Sequence, residues 1–225
     1  MPSSIYKSFL CLRPKDNTTD FLNPIGHLFG ENYLVIDDNE ESHHEALSRL
    51  ESLKPTSLII FLGHGTSFSL HSAKSAVFEQ RDFITKDHNS VFASHNVILL
   101  ACRSEQLISK LSGYRNMIGF GNIISSRHEI AHDAEITGKF RQLEDQEIDT
   151  FNQSYVYAVS STLDLLFAGK IIFSQVSNYI SFFINKCINK VLRDHTLRNR
   201  IELATLLFEF RNDMKYLKGG NQNSW

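Results

Sequence analysis

Along the first 125 residues, apolar positions fall in short runs separated by amphipathic or polar stretches. "YKSFLCL" (6–12) and "ENYLVID" (31–37) are rich in β-forming residues and predict two strands, joined by a polar segment holding Pro24 and Gly26. Over 39–54 the period lengthens. Ala46, Leu47, Leu50 and Leu53 recur at helical spacing, Ser42 with Glu45 has the form of a capping box, and Pro55 closes the helix. Residues 57–63 and 96–102 are continuous apolar runs, the pattern of strands covered on both faces. The stretch between them, 66–95, predicts a hairpin or loop plus a short helix. A helix is expected at 104–112, with Ser104 as cap, Leu107, Ile108 and Leu111 facing inward, and Gly113 ending it. "NMIGFGNII" (116–124) predicts a fifth strand.

This alternation of strands and helices predicts an α/β fold with a mostly parallel, doubly wound sheet, whose sites form beyond the carboxyl ends of the strands. Residues 127–149 are polar and charged without a clear period, and read as a long loop with helical turns. Beyond them the pattern is helical. Phe151, Tyr155, Val159, Leu163 and Phe167 share a face and Gly169 stops it. A helix is expected at 171–193, another at 197–217, and a fraying tail at 219–225. The organisation expected is an α/β core over 1–150, with a C-terminal helical part over 151–225 packed on or extending the same domain.

Composition narrows the class. Of 225 residues, 42% are apolar and 21% charged, an ordinary globular balance, and a net charge of −2 gives no bulk attraction to nucleic acid. The three cysteines, Cys11, Cys102 and Cys187, are far apart and form no CxxC pair, so a disulfide framework or cysteine-rich zinc site is not expected. The N-terminus lacks the apolar core of a signal peptide, and "LDLLFAGKIIF" is too short to span a bilayer. A cytoplasmic protein without membrane partners is the expectation.

Chemistry enters at two strand ends. The run "LIIFLGHGTS" (58–67) stops at His64 between Gly63 and Gly65, and "NVILLACRSE" (96–105) stops at Cys102. A cysteine nucleophile needs a thiolate, a base and an oxyanion hole. The helix after Cys102 is expected to favour the thiolate through its positive N-terminus, and a histidine such as His64 is the residue type suited to taking and giving a proton near neutrality. The amides of Gly65 and Cys102 are candidates for the oxyanion hole, and His71 is a minor rival to His64 as base. His43 and His44 read as solvent-facing helix residues.

"IIFLGHGTSFSL" followed by "NVILLACRSEQL" resembles the caspase-like cysteine peptidases, most closely their bacterial CHAT branch. "MIGFGNIISS" is similar to the family's next strand, and "YVYAVSSTLDLLFAGKIIFSQV" to a later helix. The likeness covers roughly residues 55–190. It implies a caspase-like three-layer fold and peptide-bond hydrolysis through an acyl-enzyme, with Cys102 as nucleophile, His64 as general base and acid, and no cofactor. It also implies a protein substrate and an activating partner, as in bacterial defence or cell-death systems. Relatives select the residue before the scissile bond (P1) sharply. Arg13, ending the first strand, is the candidate contact for an acidic one, and Asp37 or Asp38, ending the second, for a basic one. The chain departs from the family at "SSRHEIAHDAE" (125–135), where many members carry a Trp-x-Val-x-Asp-like stretch.

That departure contains "HEIAH" (128–132), which fits the zinc-binding pattern His-Glu-x-x-His. On a helix, His128 and His132 would share a face, with Glu129 as base and Glu135, Glu144 or Glu147 as third ligand. Asp133 follows directly and no long apolar helix surrounds the motif, so a polar surface helix, or a segment lining the cysteine site, is the expected role and no metal is. A non-catalytic adaptor on the same fold is the third reading.

Overall fold

The computed structural model describes Tyr6 and residues 8–219. A six-stranded sheet forms the middle layer. Its strands are β1 (Phe9–Pro14), β2 (Tyr33–Ile36), β3 (Leu58–Leu62), β6 (Asn96–Leu100), β7 (Asn116–Gly119) and β8 (Lys215–Lys218), in the order β2-β1-β3-β6-β7-β8. All neighbours are parallel except β7 and β8. A separate hairpin, β4 (Ser69–His71) with β5 (Asp82–Thr85), and a 3-10 stretch at Lys86–Phe92 fill the β3–β6 connection, as the 66–95 pattern predicts.

Strand alternation divides the core in two. Leu58, Ile60 and Leu62 of β3 and Ile98 and Leu100 of β6 point to one face; Ile59, Phe61, Val97 and Leu99 point to the other. Both faces are buried, which is why these strands read as unbroken apolar runs. One face is covered by α2 (Glu40–Glu51), α3 (Ser104–Leu107) and the hairpin. The other is covered by α1 (Asn23–His27) and by α5 (Asp145–Phe167), α6 (Val176–Arg193) and α7 (Arg200–Asp213). Phe210 of α7 lies 5.1 Å from the Tyr155 ring of α5 and 5.2 Å from Phe120 after β7, so the C-terminal helices and the sheet share one aromatic cluster.

Several local expectations are corrected. Residues 127–137 form a helix, α4 (Arg127–Thr137), capped by Ser126, whose side chain accepts the Glu129 amide. Its charged residues lie on all sides and erase the period. The cap of α2 is Asn39, accepting from the Ser42 N–H, rather than Ser42 itself. His43 is buried against Phe78 and Phe83 instead of facing solvent, whereas His44 is exposed. The last helix stops at Asp213 and the chain returns as β8 to pair with β7. Gly169 ends α5 with φ +67, the left-handed conformation that glycine adopts cheaply. The expected tail at 219–225 falls, apart from Gly219, outside the described residues, as do residues 1–5. Among those described, no helix is long and apolar enough to cross a membrane.

Candidate functional site

Strand order fixes where a site forms. The chain leaves β1 toward β2 on one side and β3 toward β6 on the other, so the loops after β1 and β3 diverge and leave a crevice at their carboxyl ends. Register then brings the two chemical side chains together. Leu62 of β3 pairs with Leu100 of β6, and His64 and Cys102 each lie two residues further along. Both line a single cleft, with Thr19, Phe21, Leu22, Ile123, Ser125, Glu129 and Tyr155 around them. The cleft is narrow, about 20 Å³, close to the space of one water.

His64 is held from both ends. Nε2 lies 2.8 Å from Thr18 Oγ1 and 3.5 Å from Asp16 Oδ2. The Thr18 hydroxyl donates to Asp16 Oδ1 at 2.7 Å, and its single proton is thereby committed. In the neutral ring the Nε2–H of His64 therefore donates to Thr18 and Nδ1 carries the lone pair. Asp16 is itself fixed as the N-cap of the 3-10 turn Asn17–Leu22 and is buried. On the other side Glu129 Oε1 stands 3.8 Å from Nδ1. Sequence patterns do not single out Asp16 or Thr18 as site residues. The available signal is an Asp-x-Thr turn directly after a strand that ends at the crevice.

Cys102 follows β6 on a strained turn, since Arg103 adopts φ +56, a left-handed conformation rarely seen outside glycine and asparagine. The residue keeps some exposed surface, but the thiol donates to the Ile123 carbonyl at 3.1 Å, inside the narrow cleft. Burial, and after it the Glu129 charge, push its pKa up to about 12. The expected helix-assisted thiolate is therefore not what the resting site holds. The reason is local: α3 is a single turn of four residues, too short to supply a useful dipole, so desolvation dominates.

Gly65 packs close to this turn. A Cβ there would stand 3.1 Å from the Ala101 Cβ and 3.0 Å from the Ser69 carbonyl oxygen. Gly65 pairs with Leu70, but the two bonds of that bridge run between Thr66 and Ser69 and between His71 and His64. The Gly65 amide thus takes no part in the bridge, and Gly65 itself is not among the residues that line the cleft.

The other residues singled out by sequence lie as follows. Arg13 is 4% exposed; its Nε donates to the Tyr33 hydroxyl at 2.8 Å, and Nη1 reaches Thr19 at 3.4 Å and Asp20 at 3.2 Å. It ties down the segment that presents Thr18 to His64. To meet a ligand carboxylate it must exchange Asp20, its exposed partner. Asp37 lies at the far edge of the sheet, exposed and paired with Lys15 at 3.3 Å, and does not line the cleft. His71 carries an imidazole whose pKa is lowered, by burial first, and it too does not line the cleft. In "HEIAH", His128 and His132 are exposed while Glu129 turns inward, and His132 faces Glu135 at 3.9 Å. Among the described residues no three His, Cys, Asp or Glu side chains converge as a metal site.

Larger grooves lie elsewhere. One of about 530 Å³ between α5 and α6 is bordered by Tyr157, Lys186, Cys187 and Lys190. It brings no histidine to its cysteine, so size does not locate the His–Cys pair. No known protein family matches the chain, and no curated protein matches it.

Proposed function

We propose that the chain is a caspase-like, CHAT-type cysteine endopeptidase with Cys102 as nucleophile and His64 as general base and acid. One observation carries the reading: His64 and Cys102, each two residues past a register-matched leucine, line the same cleft at the switch point of the sheet. The hydrogen bonds around His64 supply its polarity. With Nε2–H given to Thr18, Nδ1 takes the thiol proton. The thiolate attacks the substrate carbonyl carbon and the amides of Gly65 and Cys102 receive the oxyanion. His64 returns the proton to the leaving amine as the C–N bond breaks. It then deprotonates a water, which hydrolyses the thioester and restores the thiol.

The resting cleft is too narrow for a peptide, which agrees with the activating partner that the resemblance implies for bacterial defence or cell-death effectors. The same closure favours a second reading, a non-catalytic adaptor on this fold. Incubation with a peptide library in the presence of candidate activators separates them, using wild type, Cys102→Ala and Glu129→Gln, each with and without chelator. Cleavage lost only in Cys102→Ala supports the peptidase. Loss on chelation together with Glu129→Gln points to the zinc chemistry of "HEIAH". No cleavage by any form, with partner binding unchanged by either mutation, favours the adaptor.

A further inference from the structure

Glu129 does not act with the histidines that flank it in sequence. Its Oε2 accepts from the Ser125 amide and hydroxyl, both at 2.6 Å, while its own amide donates to the Ser126 cap. Helix capping accounts for that oxygen. It does not account for Oε1, which projects into the cleft and faces His64 Nδ1. That nitrogen is the one left to accept a proton, because Nε2 is committed to Thr18.

We infer that Glu129 and the first turn of α4 form an autoinhibitory latch: the carboxylate occupies the side of His64 where Cys102 must deliver its proton, and the site becomes competent when that turn moves away. The inference rests on reading Cys102 as the nucleophile. Three observations agree with it. The cleft beneath Glu129 has space for about one water and no substrate carbonyl. The charge of Glu129 adds to burial in holding the thiol protonated; Glu105 acts the same way and Arg103 opposes them. On its other side His64 meets Thr18 and, among the described charged groups, Asp16, with His71 close by on β4.

The first turn of α4 is held from outside by an exposed ion pair, Arg127 with Asp145, whereas further along the helix buried Asp133 is anchored by Asn122 at 2.7 Å and by Arg141, which also reaches Glu209; movement is therefore confined to the first turn. Exposed ion pairs of the first kind contribute little, about 0–1 kcal/mol each. Between α4 and the following loop runs an open groove of about 470 Å³, bordered by Ile130, Leu143 and a Phe140 that is 85% exposed.

The test reads Cys102 directly and needs no substrate. Iodoacetamide alkylation at pH 7.5 is followed by peptide mapping, with Cys187 as internal control. Glu129→Gln keeps an acceptor for Ser125 and removes the charge; Cys102 is expected to react about tenfold faster, equivalent to one pKa unit, with Cys187 unchanged. Ser125→Ala, which removes the hydroxyl but not the amide that holds the carboxylate, is expected to raise the rate by a smaller factor. A folded Glu129→Gln chain that reacts no faster than wild type overturns the latch. Should that variant fail to fold by circular dichroism, an unchanged rate in Ser125→Ala overturns it instead. If Cys102 responds as expected but no variant cleaves peptides, the latch contact stands and the peptidase reading falls.

Discussion

His43 and His64 are the same residue in two different environments. His43, on α2, is 4% exposed and both ring nitrogens meet backbone: Nδ1 lies 2.6 Å from the Asn39 carbonyl oxygen and Nε2 accepts the Ala73 amide at 3.2 Å. Its ring stacks on Phe78 and meets Phe83 edge-on. His64, on the crevice, is partly open and both nitrogens face side chains that can gain or lose protons or move aside. Backbone partners cannot change charge, so His43 can only stabilise. The side-chain partners of His64 leave one nitrogen committed and one in play. Burial and partner type, rather than residue identity, separate a structural histidine from a chemical one.

The contrast is broken or upheld first by activity. In the unlatched Glu129→Gln background, adding Cys102→Ala or His64→Ala is expected to lower peptide cleavage at least ~1,000-fold, while adding His43→Ala leaves the rate per folded molecule unchanged. A cleavage assay normalised to folded protein checks this. Alkali is the next lever. Cys102 is pushed up to about 12, and Cys11 and Tyr155 are also raised by burial. A raised acid is protonated in the folded state at a pH where the unfolded chain has already lost its proton. The stability it supplies is therefore full below about pH 9, the ordinary thiol value, and is lost as pH rises toward 12. Melts from pH 8 to 11 are expected to fall, and to fall less steeply in Cys102→Ala.

His43→Ala sharpens the structural side. It removes a packed ring and strands the Asn39 carbonyl and the Ala73 amide, at a cost of about 2–4 kcal/mol, read as a fall of roughly 5–15 °C in Tm. Thr18→Val tests the committed side of His64. It is expected to lower cleavage about 10- to 100-fold and to shift the acid limb of the pH–rate profile, with Thr18→Ser restoring both. The smallest effect belongs to Asn39→Ala. Loss of the α2 cap costs about 1 kcal/mol by chemical denaturation and leaves cleavage untouched.

What the sequence makes legible follows from how each part is built. β3 and β6 are buried on both faces, so their apolar runs declare them, and their ends name His64 and Cys102. The partners of those two residues are not periodic. Asp16 and Thr18 sit in a short turn, and only the β1–β3 switch brings that turn to His64. Glu129 stands in a segment that reads as a polar surface helix or a lining of the cysteine site, and the sequence does not choose; the cap at Ser126 sets the rotation of α4 and turns the glutamate inward while its neighbours His128 and His132 stay outside. His43 follows the same logic, since the hairpin that buries it lies thirty residues further along the chain. β8 is a four-residue edge strand, "KYLK", too short to announce itself before its partner is known.

The claim on which the rest stands is that His64 and Cys102 work as a pair. The most direct measurement is covalent labelling of the unlatched Glu129→Gln chain, with and without His64→Ala, by a mixture of peptidyl acyloxymethyl ketones differing in the P1 residue, mapped by mass spectrometry. The account predicts a thioether on Cys102, little on Cys187, and loss of the Cys102 label in His64→Ala. Absence of label on Cys102, equal labelling of Cys187, or undiminished labelling of Cys102 without His64 would contradict it.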